Sequence, residues 1–124
     1  MLPWKFDDGG FGLCKYSCVP RSLAILTGED TRPLQNPITA ENSPGREYAK
    51  LFGVSLLGVY EDYPLLLDGA HAKHGDAIYE IGNESTRHWL AVVSGVVRDI
   101  MSPYKMFPGD PNPFCFQVWG KPNG

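Results

Sequence analysis

The sequence predicts an α+β fold, with helices early in the chain and a small antiparallel β-sheet after them. Three observations support this prediction. The first third contains a capped, amphipathic helical segment, the last half contains short segments rich in β-branched and aromatic residues, and Gly and Pro signals separate these segments. Helices followed by strands are typical of α+β domains, in which a helix packs on one sheet face.

The first helix is predicted over the segment SCVPRSLAILTG. Ser17 suits the N-cap position, Pro20 is tolerated in the first turn, and Gly28 fits the position just past the C-terminal end. Before this helix, the acidic pair Asp7-Asp8 followed by Gly9-Gly10 predicts a turn. We therefore expect the N-terminal helix to begin near Cys18.

Two more short helices are predicted before the sheet. The polar stretch 29–45 contains three prolines and indicates a loop, after which REYAKLFGV predicts a helix that ends near Gly53. The segment VSLLGVY is ambiguous between a strand and a buried turn. A further short helix is expected around Leu65 to Ala72.

About four antiparallel strands complete the predicted fold. Each is short, rich in β-branched or aromatic residues, and bounded by turn residues. They are DAIYEIG, HWLAVVSG, VVRDI and FCFQVWG.

Length and composition predict one domain over residues 1–124. The chain has 124 residues, 43% of them hydrophobic, which is enough to bury a core. No apolar run approaches the length of about 20 residues that a membrane helix needs. The start MLPWKFDDGG has acidic residues where a signal peptide is basic and then apolar, so we expect a cytoplasmic protein without membrane contact.

Charge and cysteine content narrow the function classes further. Eleven basic and fourteen acidic residues give a formal net charge of -3, and neither sign forms a run, which argues against a nucleic-acid partner. The cysteines are odd in number and too few for a disulfide scaffold. We therefore expect Cys14, Cys18 and Cys115 to be thiols.

The stretch HWLAVVSGVVRD predicts a hairpin that brings a histidine and an aspartate together. If Ser94-Gly95 is a two-residue turn, Val93 lies opposite Val96, and counting outward makes His88 and Asp99 diagonal neighbours on one face. Diagonal neighbours are about 7–8 Å apart at the backbone, a gap that two side chains can close. A three-residue turn would instead move Asp99 to the opposite face of the hairpin. The alternative without a functional role is a histidine that caps the start of a strand and an aspartate that is solvated at the end of one.

Cys18 is the candidate nucleophile for this pair. At a helix start, outward-pointing backbone N–H groups and the helix dipole favour a thiolate, and an imidazole backed by a carboxylate can complete its activation. The alternative is a small buried hydrophobic cysteine. The spacing of Cys18, His88 and Asp99 favours a catalytic triad.

This arrangement resembles the papain-like cysteine peptidase superfamily in its compact form, which includes the bacteriocin-leader peptidases. The matching segments, residues 17–28 and 75–99, cover under a third of the chain and also resemble small uncharacterised bacteriophage proteins. The resemblance implies a papain-like domain with a cleft between helix and sheet, a peptide or protein substrate, no cofactor, and the host cytoplasm as location if the protein is phage-encoded. It also implies peptidase or isopeptidase chemistry at Cys18.

One feature departs from the papain-like pattern. Such enzymes carry a Gln or similar amide donor shortly before the cysteine, whereas the stretch here is FGLCKYS. The backbone N–H of Cys18 is then one oxyanion donor, and Lys15, Tyr16 or Ser17 are candidates for a second. The alternative function is a catalytically inactive papain-like module that binds a host protein.

Two other residue groups carry competing predictions. Arg21 lies almost one turn beyond Cys18, where it is a candidate to bind a substrate carboxylate or stabilise the thiolate, or else a surface arginine. Cys14 and Cys18 together with His71 and His74 offer a two-cysteine, two-histidine zinc set. Because a domain of this size folds without a metal and the C-x3-C spacing is unusual for zinc, we expect no metal site.

Overall fold

The computed structural model describes residues 1–13, 17–32, 45–82, 86–106 and 112–121. Over these ranges the chain forms a seven-stranded mixed sheet and three α-helices. The strands are β1 (Trp4–Phe6), β2 (Ser55–Val59), β3 (Leu65–Leu66), β4 (Ala77–Gly82), β5 (Arg87–Val93), β6 (Val96–Asp99) and β7 (Phe114–Gly120). The helices are α1 (Cys18–Thr27), α2 (Gly45–Leu51) and α3 (Leu67–His74).

The α+β class is confirmed, but the prediction of about four antiparallel strands is wrong. The sheet order is β1-β6-β5-β4-β7-β2, with β3 also paired to β7, and β1 runs parallel to β6. The four predicted strands form its antiparallel centre as β4 to β7. Of the additional strands, β1 and β3 escape a pattern-based prediction because they are only three and two residues long. Strand β2 lies in the segment that was ambiguous between a strand and a buried turn.

The helices agree with the predictions in place, with small shifts in their bounds. Helix α1 ends at Gly28, whose φ of 76° gives the left-handed cap and whose N–H donates to the Ala24 carbonyl oxygen. Ser17 occupies the N-cap, although its hydroxyl makes no capping hydrogen bond. Helix α3 starts two residues later than expected, because Leu65–Leu66 pair with β7 as β3.

The predicted loop lies only partly within the described ranges, whereas the ambiguous segment VSLLGVY lies wholly within them. Residues 33–44 of the loop 29–45 lie outside them. The segment VSLLGVY contributes β2, an edge strand with exposed apolar side chains. Apolar and polar residues do not alternate along β2, because the strand is not buried on one face. This explains why its sequence pattern was ambiguous between a strand and a buried turn.

Hydrophobic clusters cover both faces of the sheet. Side chains alternate along β4, so Ile78 packs into the cluster that contains α1 and α2, while Tyr79 packs into the cluster that contains α3. Helices α1 and α3 therefore lie on opposite faces. No helix within the described ranges combines the length and apolarity required to cross a bilayer.

The β5–β6 hairpin has the predicted two-residue turn. Ser94 and Gly95 have positive φ values of 54° and 75°, as a type I′ turn requires, and Val93 pairs with Val96. The Asp76 carboxylate accepts hydrogen bonds from both turn N–H groups, at 2.7 and 3.2 Å. This tertiary support compensates for the weak turn signal of Ser-Gly.

Strand β1 ties the start of the chain to the end of β6. Phe6 lies opposite Asp99 in parallel register. The Asp99 carbonyl oxygen accepts hydrogen bonds from the Asp7 N–H at 3.0 Å and from Trp4 Nε1 at 3.1 Å. Strand β1 and the residue that follows it therefore help to fix the position of Asp99.

Candidate active site

His88 and Asp99 meet as the hairpin register predicted. His88 Nε2 lies 2.6 Å from Asp99 Oδ2, a distance typical of a strong, charge-assisted hydrogen bond. The Asp99 side chain is only 1% exposed, whereas that of His88 is 18% exposed. The carboxylate is thus buried behind the ring, and the ring has access to solvent.

Cys18 is the first residue of α1, and its thiol lies against His88. The thiol lies close enough to the His88 side chain and to the Trp89 backbone for both groups to lower its pKa. Because Nε2 of His88 is bonded to Asp99, Nδ1 is the ring nitrogen left for the thiol. The three side chains therefore form one chain of contacts from sulfur to carboxylate.

The pKa of Cys18 is lowered despite its burial. Burial alone disfavours the thiolate and raises the pKa, but several effects outweigh it. In order of size, these are the hydrogen bond with His88, the positive charge of His88, the Trp89 backbone hydrogen bond and the charge of Arg21. The site thus favours a thiolate beside a protonated imidazole.

The pKa of His88 moves in the opposite direction. Burial would lower it, but the hydrogen bonds to Asp99 and Cys18 and the negative charges of both raise the pKa of His88 from 6.5 to about 9. Because the pKa of His88 is higher in the folded protein than in the unfolded chain, protonation of His88 stabilises the fold. This contribution is fully present below about pH 6.5 and is lost as the pH rises through about 9. The imidazolium form of His88 is therefore favoured at neutral pH.

Arg21 lies behind Asp99 and not at the surface. Its Nη1 is 3.2 Å from Asp99 Oδ1, and the two side chains are 2% and 1% exposed. The same oxygen accepts the Ile100 N–H at 2.7 Å. The surface-arginine alternative is therefore wrong, and a guanidinium buried this deeply has no access to the substrate carboxylate for which Arg21 was a candidate.

The predicted Asp-Gly turn packs directly on Arg21. Gly9 and Gly10 donate backbone hydrogen bonds to the Asp7 and Asp8 carboxylates, each at 2.9 Å. A β-carbon at Gly9 would lie 3.0 Å from Cγ of Arg21 and 3.1 Å from its carbonyl oxygen. The absence of a side chain at Gly9 therefore lets the turn cover the arginine.

Gly9→Ala is expected to destabilise the protein more than Gly12→Ala. Both glycines have left-handed φ values, 58° and 62°, but a β-carbon at Gly12 meets no atom of the described residues within 4 Å. Each variant should lose about 1–2 kcal/mol from backbone strain, and Gly9→Ala should lose more because it also displaces Arg21. Urea unfolding of both variants measures the difference, and equal losses would show that the turn does not press on the arginine.

The start of α1 supplies backbone donors beside the sulfur. The first intrahelical hydrogen bond runs from the Arg21 N–H to the Ser17 carbonyl oxygen at 2.8 Å, so the Cys18 and Val19 N–H groups precede it. Ser17 itself is completely buried, and its hydroxyl has no partner among the described residues. The other two oxyanion candidates, Lys15 and Tyr16, lie outside the described residues.

The competing zinc set is not brought together. Helix α3 carries His71 and His74 on the sheet face opposite α1, and His74 Nε2 is 2.6 Å from the Tyr60 hydroxyl. Cys14 falls outside the described residues. Within the part of the chain that the structure describes, no group of three or more His, Cys, Asp or Glu side chains is placed to hold a metal.

The sequence-based prediction missed two contributions to the site. Arg21 pairs with the Asp99 carboxylate, and the Trp89 backbone lowers the pKa of Cys18. The ring of Trp89 packs against that of Trp119, with the ring centroids 5.7 Å apart. The signal for Arg21 was its surroundings, because the helix residues on either side of it are apolar or small and all are buried: Val19, Pro20, Ser22 and Leu23. A charged residue in such a run needs a buried partner.

Comparisons of the chain with protein-family models, with curated proteins and with solved structures give no match.

Proposed function

We propose that the protein is a papain-like cysteine hydrolase, a peptidase or isopeptidase that uses Cys18, His88 and Asp99. The observation that carries the proposal is the continuous contact from the Cys18 thiol through the His88 ring to the Asp99 carboxylate, at the start of a helix. The order of the three residues and the packing of α1 on the sheet support the papain-like assignment.

The first half of the proposed reaction is acylation of the enzyme. The Cys18 thiolate attacks the carbonyl carbon of an amide, and the negative charge moves to the carbonyl oxygen. The Cys18 backbone N–H is placed to stabilise that oxygen. Protonated His88 then gives its Nδ1 proton to the leaving amine, the C–N bond breaks, and a thioester remains.

The second half is hydrolysis of the thioester. Neutral His88 takes a proton from a water molecule, which attacks the thioester carbonyl carbon. The C–S bond breaks, the acid product leaves, and the thiolate–imidazolium pair is restored. Through its hydrogen bond to Nε2, Asp99 keeps the ring oriented in both halves.

In a Cys14→Ser background, Cys18 is expected to react rapidly with iodoacetamide at pH 6, and His88→Ala should slow that reaction on the order of 100-fold. The reason is that an ordinary thiol, with a pKa of about 8.5, is only roughly 0.3% thiolate at pH 6. Mass spectrometry of the labelled peptide against pH gives the rate at Cys18. Cys115 can stay in place, because it is fully buried and burial raises its pKa to about 12.

A thiol that titrates near pH 8.5 and ignores the loss of His88 would contradict the hydrolase proposal. The inactive papain-like interaction module would then be the better assignment. That module should retain its binding partner when Cys18 is replaced with alanine.

A further inference from the structure

We infer that Arg21 is a positioning residue of this site, which acts on the nucleophile through Asp99. It gives the Asp99 carboxylate its countercharge and fixes its orientation, so that Oδ2 faces His88. The inference rests on the proposed function, and it replaces the expected substrate contact of Arg21 with a role behind the triad.

Geometry assigns each oxygen of Asp99 a separate task. Oδ2 faces the His88 ring and lies 2.6 Å from its Nε2. Oδ1 accepts from Arg21 Nη1 at 3.2 Å and from the Ile100 N–H at 2.7 Å. Two donors on one oxygen set the rotation of the carboxylate, and that rotation aims the other oxygen at the imidazole.

The charges around the carboxylate come from three elements. Helix α1 contributes Arg21 and the Cys18 thiol, β5 contributes His88, and β6 contributes Asp99 itself. When the thiolate–imidazolium pair is formed, the four groups carry two positive and two negative charges. The proton thus moves from sulfur to imidazole within a group of charges that is neutral before and after the transfer.

The charged side chains of Asp7 and Arg98, on the neighbouring elements, contact groups other than the Asp99 carboxylate. The carboxylate of Asp7, next to β1, accepts the Gly9 N–H at 2.9 Å and lies 3.8 Å from Nη1 of Arg98. Arg21 is therefore the cation that faces Asp99 from the helix side, and the turn at Gly9 covers it.

Loss of the Arg21 charge has a definite effect on the pH profile. Without that cation the local potential becomes more negative, so a higher pH is needed both to form the Cys18 thiolate and to deprotonate His88. The pH profile of Cys18 reactivity has an acid limb, set by the Cys18 thiol, and an alkaline limb, set by His88. Both limbs should move to higher pH. A purely structural role for Arg21 would lower the thermal midpoint without moving the limbs.

The test measures iodoacetamide labelling of Cys18 against pH in the Cys14→Ser background, together with acylation by p-nitrophenyl acetate. Arg21→Met is expected to move the acid limb up by about one pH unit, a tenfold loss of labelling rate at pH 6. Arg21→Lys keeps the positive charge but lacks the fixed guanidinium geometry. Its limbs should lie within about 0.3 pH unit of the native ones, but its acylation should be about tenfold slower than that of the native protein. Arg32→Met removes an exposed arginine paired with Asp30 and is the matched control, with native limbs expected.

Native limbs and a native acylation rate in Arg21→Met would overturn the inference and leave the hydrolase proposal intact. If Arg21→Met does not fold, Arg21→Lys decides: slower acylation with native limbs supports the positioning role, and a native rate overturns it. An unactivated Cys18 in the native protein is a different result, because it contradicts the proposed function whatever the Arg21 variants do.

Discussion

Replacing His88 with alanine is expected to slow the acylation of Cys18 by p-nitrophenyl acetate by about 10²- to 10⁴-fold at neutral pH. The imidazole holds the proton that leaves the sulfur, and it contributes the largest pKa-lowering effect on that thiol. The variant should lose the stabilisation that comes from the raised pKa of His88 but remain folded, because the side chain is partly exposed and Asp99 keeps Arg21 as its partner. Release of p-nitrophenolate under excess ester measures the rate.

The matched control is His71→Ala, which removes a histidine from α3 on the opposite sheet face. It should leave the rate at the native value, and Cys18→Ala should remove the reaction. A His88→Ala variant that unfolds would instead identify His88 as a residue required for stability. A folded variant with native acylation would remove His88 from the mechanism.

Asp99→Asn is expected to destabilise the protein by about 3–5 kcal/mol, far more than loss of the His88 ring. The substitution leaves the Arg21 guanidinium, 2% exposed, without its countercharge. Because natural domains are stable by only about 5–15 kcal/mol, this loss is a large fraction of the total. The midpoint of urea unfolding, with the slope held constant, measures it.

The double variant Arg21→Met, Asp99→Asn separates the charge effect from a packing effect. Removing both charges should recover much of the lost stability, since no uncompensated ion remains. The control Asp30→Asn breaks the exposed pair with Arg32 and should leave the midpoint nearly unchanged. A double variant no more stable than Asp99→Asn would mean that the two side chains are not energetically coupled.

Local signals predicted the parts of the fold that are locally determined. Helix α1 follows from the apolar spacing after Cys18 and from Gly28, whose freedom at positive φ ends the helix. The hairpin register follows from the position of Ser94-Gly95, so the His88–Asp99 contact was predictable from counting residues. The candidate triad was therefore accessible from sequence.

The remaining features depend on contacts between distant segments. The strand at Trp4–Phe6 is only three residues long and exposed along its whole length, and its parallel partner lies about 90 residues away in the register of Trp4 with Val97. Arg21 was expected at the surface because arginine is mostly exposed in proteins. Its burial depends on Asp99 and on the turn at Gly9, neither of which is near it in sequence.

The parallel pairing of β1 with β6 makes the proposed active site a late product of folding. The hydrogen bond from Trp4 to the Asp99 carbonyl oxygen joins residues 95 apart, and the Arg21–Asp99 pair joins residues 78 apart. Contacts of such separation form slowly, because long loops must close before any packing rewards them. Cys18 is made early in the chain but meets His88 and the Trp89 backbone, which lower its pKa, only when α1 packs on β5. On the proposed function, the nascent chain thus carries an ordinary cysteine, and completion of the fold activates it.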